Sequence, residues 1–201
     1  IIKAAGGGEN ALAYAEALLD KVNRIEPEKQ SAALLGQLRA AKEQGDFRGR
    51  VLEVNFADCF LRKGIALDYG AKQGMPGDID IGWNVEGHKV YVELKLLGQD
   101  KATRDSINAQ LEDKGTSATF LDDDTRDVAR LQADLIQKAS TKKFNPKPSA
   151  DSINLVGVDV TELQLGTVDI CDCLLAAGGN SAAARHCHPA CLREPIVGAF
   201  E

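Results

Sequence analysis

The order of apolar patterns along the chain predicts an α/β protein whose core runs helix, three strands, helix, strand. Three stretches predict it. Residues 47–63 carry a helical stripe, and residues 76–95 read as a strand pair, P-G-D-I-D-I-G-W-N-V-E-G-H-K-V-Y-V-E-L-K. Residues 126–143 form an amphipathic helical pattern that precedes an apolar strand at 153–160. A length of 201 residues suffices for one well-buried domain, or one domain with an appendage. The hydrophobic share of 44% and charged share of 27% are ordinary for a globular chain. No apolar run approaches the ~20 residues of a membrane-spanning helix, and the start shows no signal-peptide pattern. A cytoplasmic protein without membrane association is therefore expected. Ile1-Ile2-Lys3 lacks an initiator methionine and residues 195–201 read as a strand cut off mid-course, so part of a longer protein is expected.

Residues 1–8 end in three glycines and read as an arm. Residues 9–25 place Leu12, Ala15, Leu18, Leu19 and Val22 at helical spacing before Pro27, and residues 28–44 repeat the pattern through Leu34, Leu35 and Leu38. Together they predict an antiparallel helical hairpin, a packing or dimerisation element, within a segment 1–46. In the next helix, 47–63, Leu52, Phe56, Cys59 and Phe60 make the apolar stripe, Gly64 is the C-cap, and Glu53 lies beside the stripe. A first strand is expected at 65–69, followed by a glycine-rich loop at 70–77 that suits either close approach to a ligand or a plain connector. Trp83 is expected to cap the core rather than stack on a base.

Residues 102–111 suit a short helix and 112–124 an exposed loop. Asp122-Asp123-Asp124 is read as hydrated, with Asp124 or Thr125 the N-cap of the helix that follows. That helix, 126–143, buries Val128, Leu131, Leu135, Ile136 and Ala139, and Pro146 and Pro148 end it. The last strand, N-L-V-G-V-D-V, is of the kind buried within a sheet.

The chemistry concentrates in the strand pair. On a strand, Asp78 and Asp80 share one face and Ile79 and Ile81 the other. The turn around Gly87 returns the chain into a strand on which Tyr91, Glu93 and Lys95 share a side. Paired as a hairpin, the two strands gather Asp80, Glu93 and Lys95. Two carboxylates suit a hard cation such as magnesium, which keeps several waters and takes a substrate phosphate. An ammonium beside them can orient a water or stabilise charge at phosphorus. The plainer alternative is a wet strand face on which Glu93 and Lys95 form a surface ion pair.

These residues resemble the PD-(D/E)XK nuclease superfamily, in particular its resolvase-like branch. The Glu-x-Lys is Glu93-Leu94-Lys95, and the upstream acid is Asp80 with Asp78 as its rival; Gly77 interrupts the family's Pro-Asp dipeptide after Pro76. The resemblance implies a restriction-endonuclease-like αβββαβ core with a mixed central sheet over residues 47–160. It also implies a magnesium- or manganese-dependent endonuclease acting on nucleic acid, DNA before RNA. Asp80 and Glu93 would be metal ligands, Lys95 would attend the attacking water, Glu53 and Asp78 would assist at the metal, and Gln137 would reach the site from the later helix. Cutting both strands would suit a homodimer.

The net charge of −6 counts mildly against a general nucleic-acid binder. Its distribution is uneven, however, and Lys138, Lys142, Lys143 and Lys147 form an acid-free strip open to a phosphate backbone or merely to water. The residues 161–201 read as a C-terminal extension packing on the core. There Cys171, Cys173, Cys187 and Cys191, with His186 and His188 flanking Cys187, could supply a structural zinc site. Cys59 with a downstream cysteine set has the gross topology of the iron–sulfur nucleases of the resembled superfamily, although its register suggests burial. Reduced thiols are favoured over zinc, and zinc over an iron–sulfur cluster; disulfides are not expected. Two other functions stay open: a catalytically silent nuclease-fold binding module, and a zinc-stabilised interaction domain.

Overall fold

The computed structural model of the chain describes residues 9–28, 31–98, 101–114, 124–140, 143–145, 149–161, 163, 168, 172–173 and 176–177. In chain order these contain α1 (Glu9–Ile25), α2 (Ala32–Ala40), α3 (Gln44–Leu61), β1 (Asp68–Ala71), β2 (Ile79–Val85), β3 (His88–Leu96), α4 (Lys101–Lys114), α5 (Asp124–Ala139) and β4 (Ser152–Asp159). The strands form one sheet in the order β1-β2-β3-β4. β1 and β2 are antiparallel through Tyr69–Ile81, and β2 and β3 are antiparallel from Val85–His88 to Ile81–Val92. Lys89 N–H donates to Asp151 and Leu97 N–H to Asp159, so the two chains advance together and β4 runs parallel to β3. The sheet is therefore mixed, and the fold is α/β.

The chain divides into two compact units, Ile1–Lys95 with Thr141–Gly157, and Leu96–Ser140 with Val158–Glu201. In the first, α1 and α2 both pack on α3, whereas a helical hairpin would have packed them chiefly on each other. Lys21 Nζ donates to Asn55 Oδ1 at 2.8 Å and Arg24 Nε to the buried Asp58 Oδ1 at 2.6 Å, so α1 and α3 run in the same direction. The apolar layer joins Leu18, Ile25, Leu34 and Leu35 to Val51, Val54 and Ala57 of α3, and these to Tyr69, Ile81, Val90, Val92 and Leu94 of the sheet. Trp83 packs at its border against Phe60 and Phe56, ring centroids 4.7 and 6.1 Å away.

The α3 face corrects one expectation. Val51, Val54, Ala57 and Asp58 are buried, while Cys59 is exposed. The buried stripe is turned toward the smaller residues because these let α3 approach its neighbours closely, leaving Leu52, Phe56 and Phe60 at the margin. For the same reason of position, Leu12 and Leu19 of α1 are exposed.

Gly64 ends α3 as expected. With φ at +74°, it lets its own N–H reach Leu61 O and the Ile65 N–H reach Phe60 O. That use of Ile65 delays the first strand, which begins at Asp68 rather than at residue 65.

In the second unit, Val128, Leu131 and Leu135 of α5 are buried, but Ile136 is exposed. Arg130 donates to Asp127 on its own helix and to Gly98 O. No helix among the described residues is long and apolar enough to cross a membrane. The arm at 1–8 lies outside the described residues, as does most of the C-terminal extension.

The Tyr69 hydroxyl is buried with no hydrogen-bond partner among the described residues, and burial, helped by the charge of Glu28, pushes its pKa up to about 12 from 10.0. Between pH 10 and about 12 the unfolded chain loses this proton while the folded chain keeps it, so stability falls as pH rises through that window. Tyr69→Phe is expected to keep neutral-pH stability or raise it by about 1 kcal/mol. It should also flatten the alkaline fall, both read from urea unfolding across pH.

Candidate functional site

The sheet has a second face, opposite the α1–α3 layer. With Ile81 opposite Val92, the next positions along the strands, Asp80 and Glu93, stand across from each other and point to that second face. Asp80 is held there by the backbone, its Oδ2 accepting the Leu94 N–H at 2.7 Å. The Glu93 side chain is 0% exposed and that of Asp80 14%.

Lys143 brings an ammonium against this pair. Its Nζ lies 2.9 and 3.0 Å from the two Glu93 oxygens and 4.0 Å from Asp80 Oδ1. A buried carboxylate demands such a partner, since an uncompensated buried charge costs several kcal/mol.

The segment 143–145 is fixed over the sheet by its neighbours. Phe144 is buried against Ala71 and Ile79, with Tyr91 and Val156 packed on the same cluster. Asn145 N–H donates to Gln73 Oε1 at 2.6 Å, Gln73 Nε2 donates to Asn154 Oδ1 at 2.6 Å, and Asn154 Nδ2 returns to Asn145 O at 3.5 Å. The glycine-rich loop, the 143–145 segment and β4 are thus stitched together by side-chain amides. Gly77, with φ at +95°, lies under the Lys143 stem, and a Cβ there would stand 3.2 Å from Lys143 Cγ.

Scans of family models, curated proteins and solved structures return no match. The site is therefore read from its own geometry.

The remaining expected site residues are distributed as follows. Lys95 is half-buried two positions beyond Glu93, on the same side of β3 by strand alternation. Asp78 is largely exposed and its Oδ1 lies 3.4 Å from Lys72 Nζ. Glu53, on α3, accepts from Arg50 Nη1 at 2.5 Å. Gln137 is exposed on α5, in the second unit, and its backbone carbonyl accepts from Ser140 Oγ. Among the described residues no three His, Cys, Asp or Glu side chains group as a metal site. The structure thus brings Asp80 and Glu93 together without adding Glu53 or Asp78 as a third ligand, because those two lie off the facing positions of β2 and β3. Cys173 is half-buried, whereas Cys171, Cys187, Cys191, His186 and His188 lie outside the described residues.

Sequence reasoning missed Lys143 as a site residue, although it had marked the lysine strip that contains it. Nothing in the local pattern ties residue 143 to residue 93; the burial of Phe144 does.

The two carboxylates and the Lys143 ammonium form a charge cluster within the chain. Carboxylates of this kind are also the donors a hard divalent ion takes, since it needs only one or two of them beside water. Gly77→Ala should be destabilised by about 1–3 kcal/mol, chiefly through its positive φ, with a tight 3.2 Å contact to the Lys143 stem added. Thermal unfolding measures this, and an unchanged midpoint would show that the loop takes a side chain at residue 77 without strain.

Proposed function

We propose that the protein is a divalent-metal-dependent nuclease hydrolysing phosphodiester bonds in DNA as an endonuclease, with the site at Asp80 and Glu93. The observation that carries this reading is a fully buried glutamate facing an aspartate across two strands, with the Lys143 ammonium against them. The architecture supports it: a helix, an antiparallel three-strand run and a last strand parallel to the third match what the resemblance to the PD-(D/E)XK superfamily implies.

Asp80 and Glu93 would hold magnesium or manganese, leaving its other positions to water and a phosphate oxygen. The bound ion supplies Lewis-acid polarisation of the phosphoryl group and a water of lowered pKa. The Leu94 N–H fixes one Asp80 oxygen, and Oδ1 lies 4.0 Å from the Lys143 ammonium, on the side where the ion would bind. Lys95, adjacent on the same strand face, would orient the attacking water. A further ammonium near the phosphorus would stabilise the charge that grows on its oxygens.

A second reading is favoured by the same ion pair. Lys143 already neutralises Glu93, as it would in a silent module that binds nucleic acid without cutting it.

Incubating the protein with a supercoiled plasmid, a linear duplex and a single strand, each with magnesium or manganese, separates the two. Cleavage is expected, and Glu93→Gln or Asp80→Asn should lower it at least about a hundredfold with the fold retained. Binding without cleavage would establish the silent module, and full cleavage by both variants would remove the site from the reaction.

A further inference from the structure

We propose that Lys143 is an internal counter-ion that occupies the cation position of the resting site and is displaced when a divalent metal binds. The inference rests on the cation site proposed above, but not on its substrate.

The geometry is that of an occupant. The ammonium touches both Glu93 oxygens and lies 4.0 Å from the one Asp80 oxygen that the Leu94 N–H does not hold. A divalent ion bound by both carboxylates would need that volume and would repel the ammonium. Lys143 can leave more readily than the carboxylates can. It comes from a loop segment rather than a strand, its side chain is 32% exposed where that of Glu93 is 0%, and Gly77 puts no side chain of its own under the stem. The anchor of the segment is Phe144, which holds the backbone in place while the four-carbon stem swings. The ammonium is kept within a stem's length of the site it vacates. A charge of +1 thus compensates the two acids until one of +2 replaces it.

The exchange has a quantitative consequence. A ligand that binds only the vacated site sees its apparent affinity reduced by the fraction of molecules in which the site is vacant. If the ammonium is out of the way in a tenth of the population or less, removing it strengthens metal binding roughly tenfold or more.

The test uses the full chain and Mn2+ alone. Wild type, Lys143→Met and Glu93→Gln are compared by calorimetric titration and by thermal unfolding with and without Mn2+. Lys143→Met is expected to bind Mn2+ at least roughly tenfold more tightly than wild type. It should also unfold at a lower temperature without metal and gain more from it, because a ligand stabilises in proportion to its affinity. Glu93→Gln should abolish the metal-dependent gain. Unchanged or weaker binding by folded Lys143→Met would overturn the proposal.

Should that variant fail to fold, acetylation of wild-type lysines read by mass spectrometry decides. Saturating Mn2+ is expected to raise labelling of Lys143 several-fold, and unchanged labelling overturns the displacement. Binding of Mn2+ with release of Lys143 but without nucleic-acid cleavage would uphold this inference and sink the nuclease. A wild type and a folded Lys143→Met that both ignore Mn2+ would sink both.

Discussion

A carboxylate cut off from water must meet a positive charge or lose its own, and the rest of this structure is arranged around the way Glu93 meets that demand. Its position on β3 is set by the antiparallel register with β2, which turns Val92 and Leu94 into the apolar layer and Glu93 away from it. A one-residue slip would bury the glutamate against α3 and expose two aliphatic side chains, so the packing of the helices and the placement of the acid are one constraint. The same register sets Asp80 opposite Glu93 and lets its carboxylate take the Leu94 N–H.

The two faces of the sheet divide the work. One carries an aliphatic core closed by α1, α2 and α3, cross-linked by Lys21–Asn55 and Arg24–Asp58. The other carries Asp80 and Glu93, and Phe144, buried against Ala71 and Ile79, lies beside a run of hydrogen-bonded side-chain amides. An aromatic residue with few apolar neighbours adds modest burial, yet it fixes the backbone of residue 143 over the acids. The energetic role of Phe144 is local, and its functional role is to aim the lysine before it.

Particular residues show where pattern reading succeeds and where it stops. The hairpin, Gly64 as the cap of α3, and the facing of Asp80 and Glu93 follow from short-range rules: strand alternation, turn chemistry and the left-handed conformation of a terminal glycine. Errors arose where a helix could turn about its axis. Cys59 sits on a stripe that looks buried by size of side chain, but α3 turns its small residues inward because close helix approach gains more contacts than bulk at a distance. Likewise α1 and α2, adjacent in sequence and similarly patterned, both choose α3, which offers them a wider apolar surface than either offers the other.

The amino-acid sequence by itself determined the α/β class, the acidic hairpin and its two opposed carboxylates, because each depends on residues a few positions apart whose geometry the backbone dictates. Tertiary structure alone decided that Lys143 meets Glu93. The lysine arrives from fifty residues away, carried by the burial of Phe144 and by the hydrogen bond from Asn145 N–H to the Gln73 side chain in the loop before β2. A long-range contact of that kind is written in no local period, since it is the packing of distant segments on one sheet face that creates it.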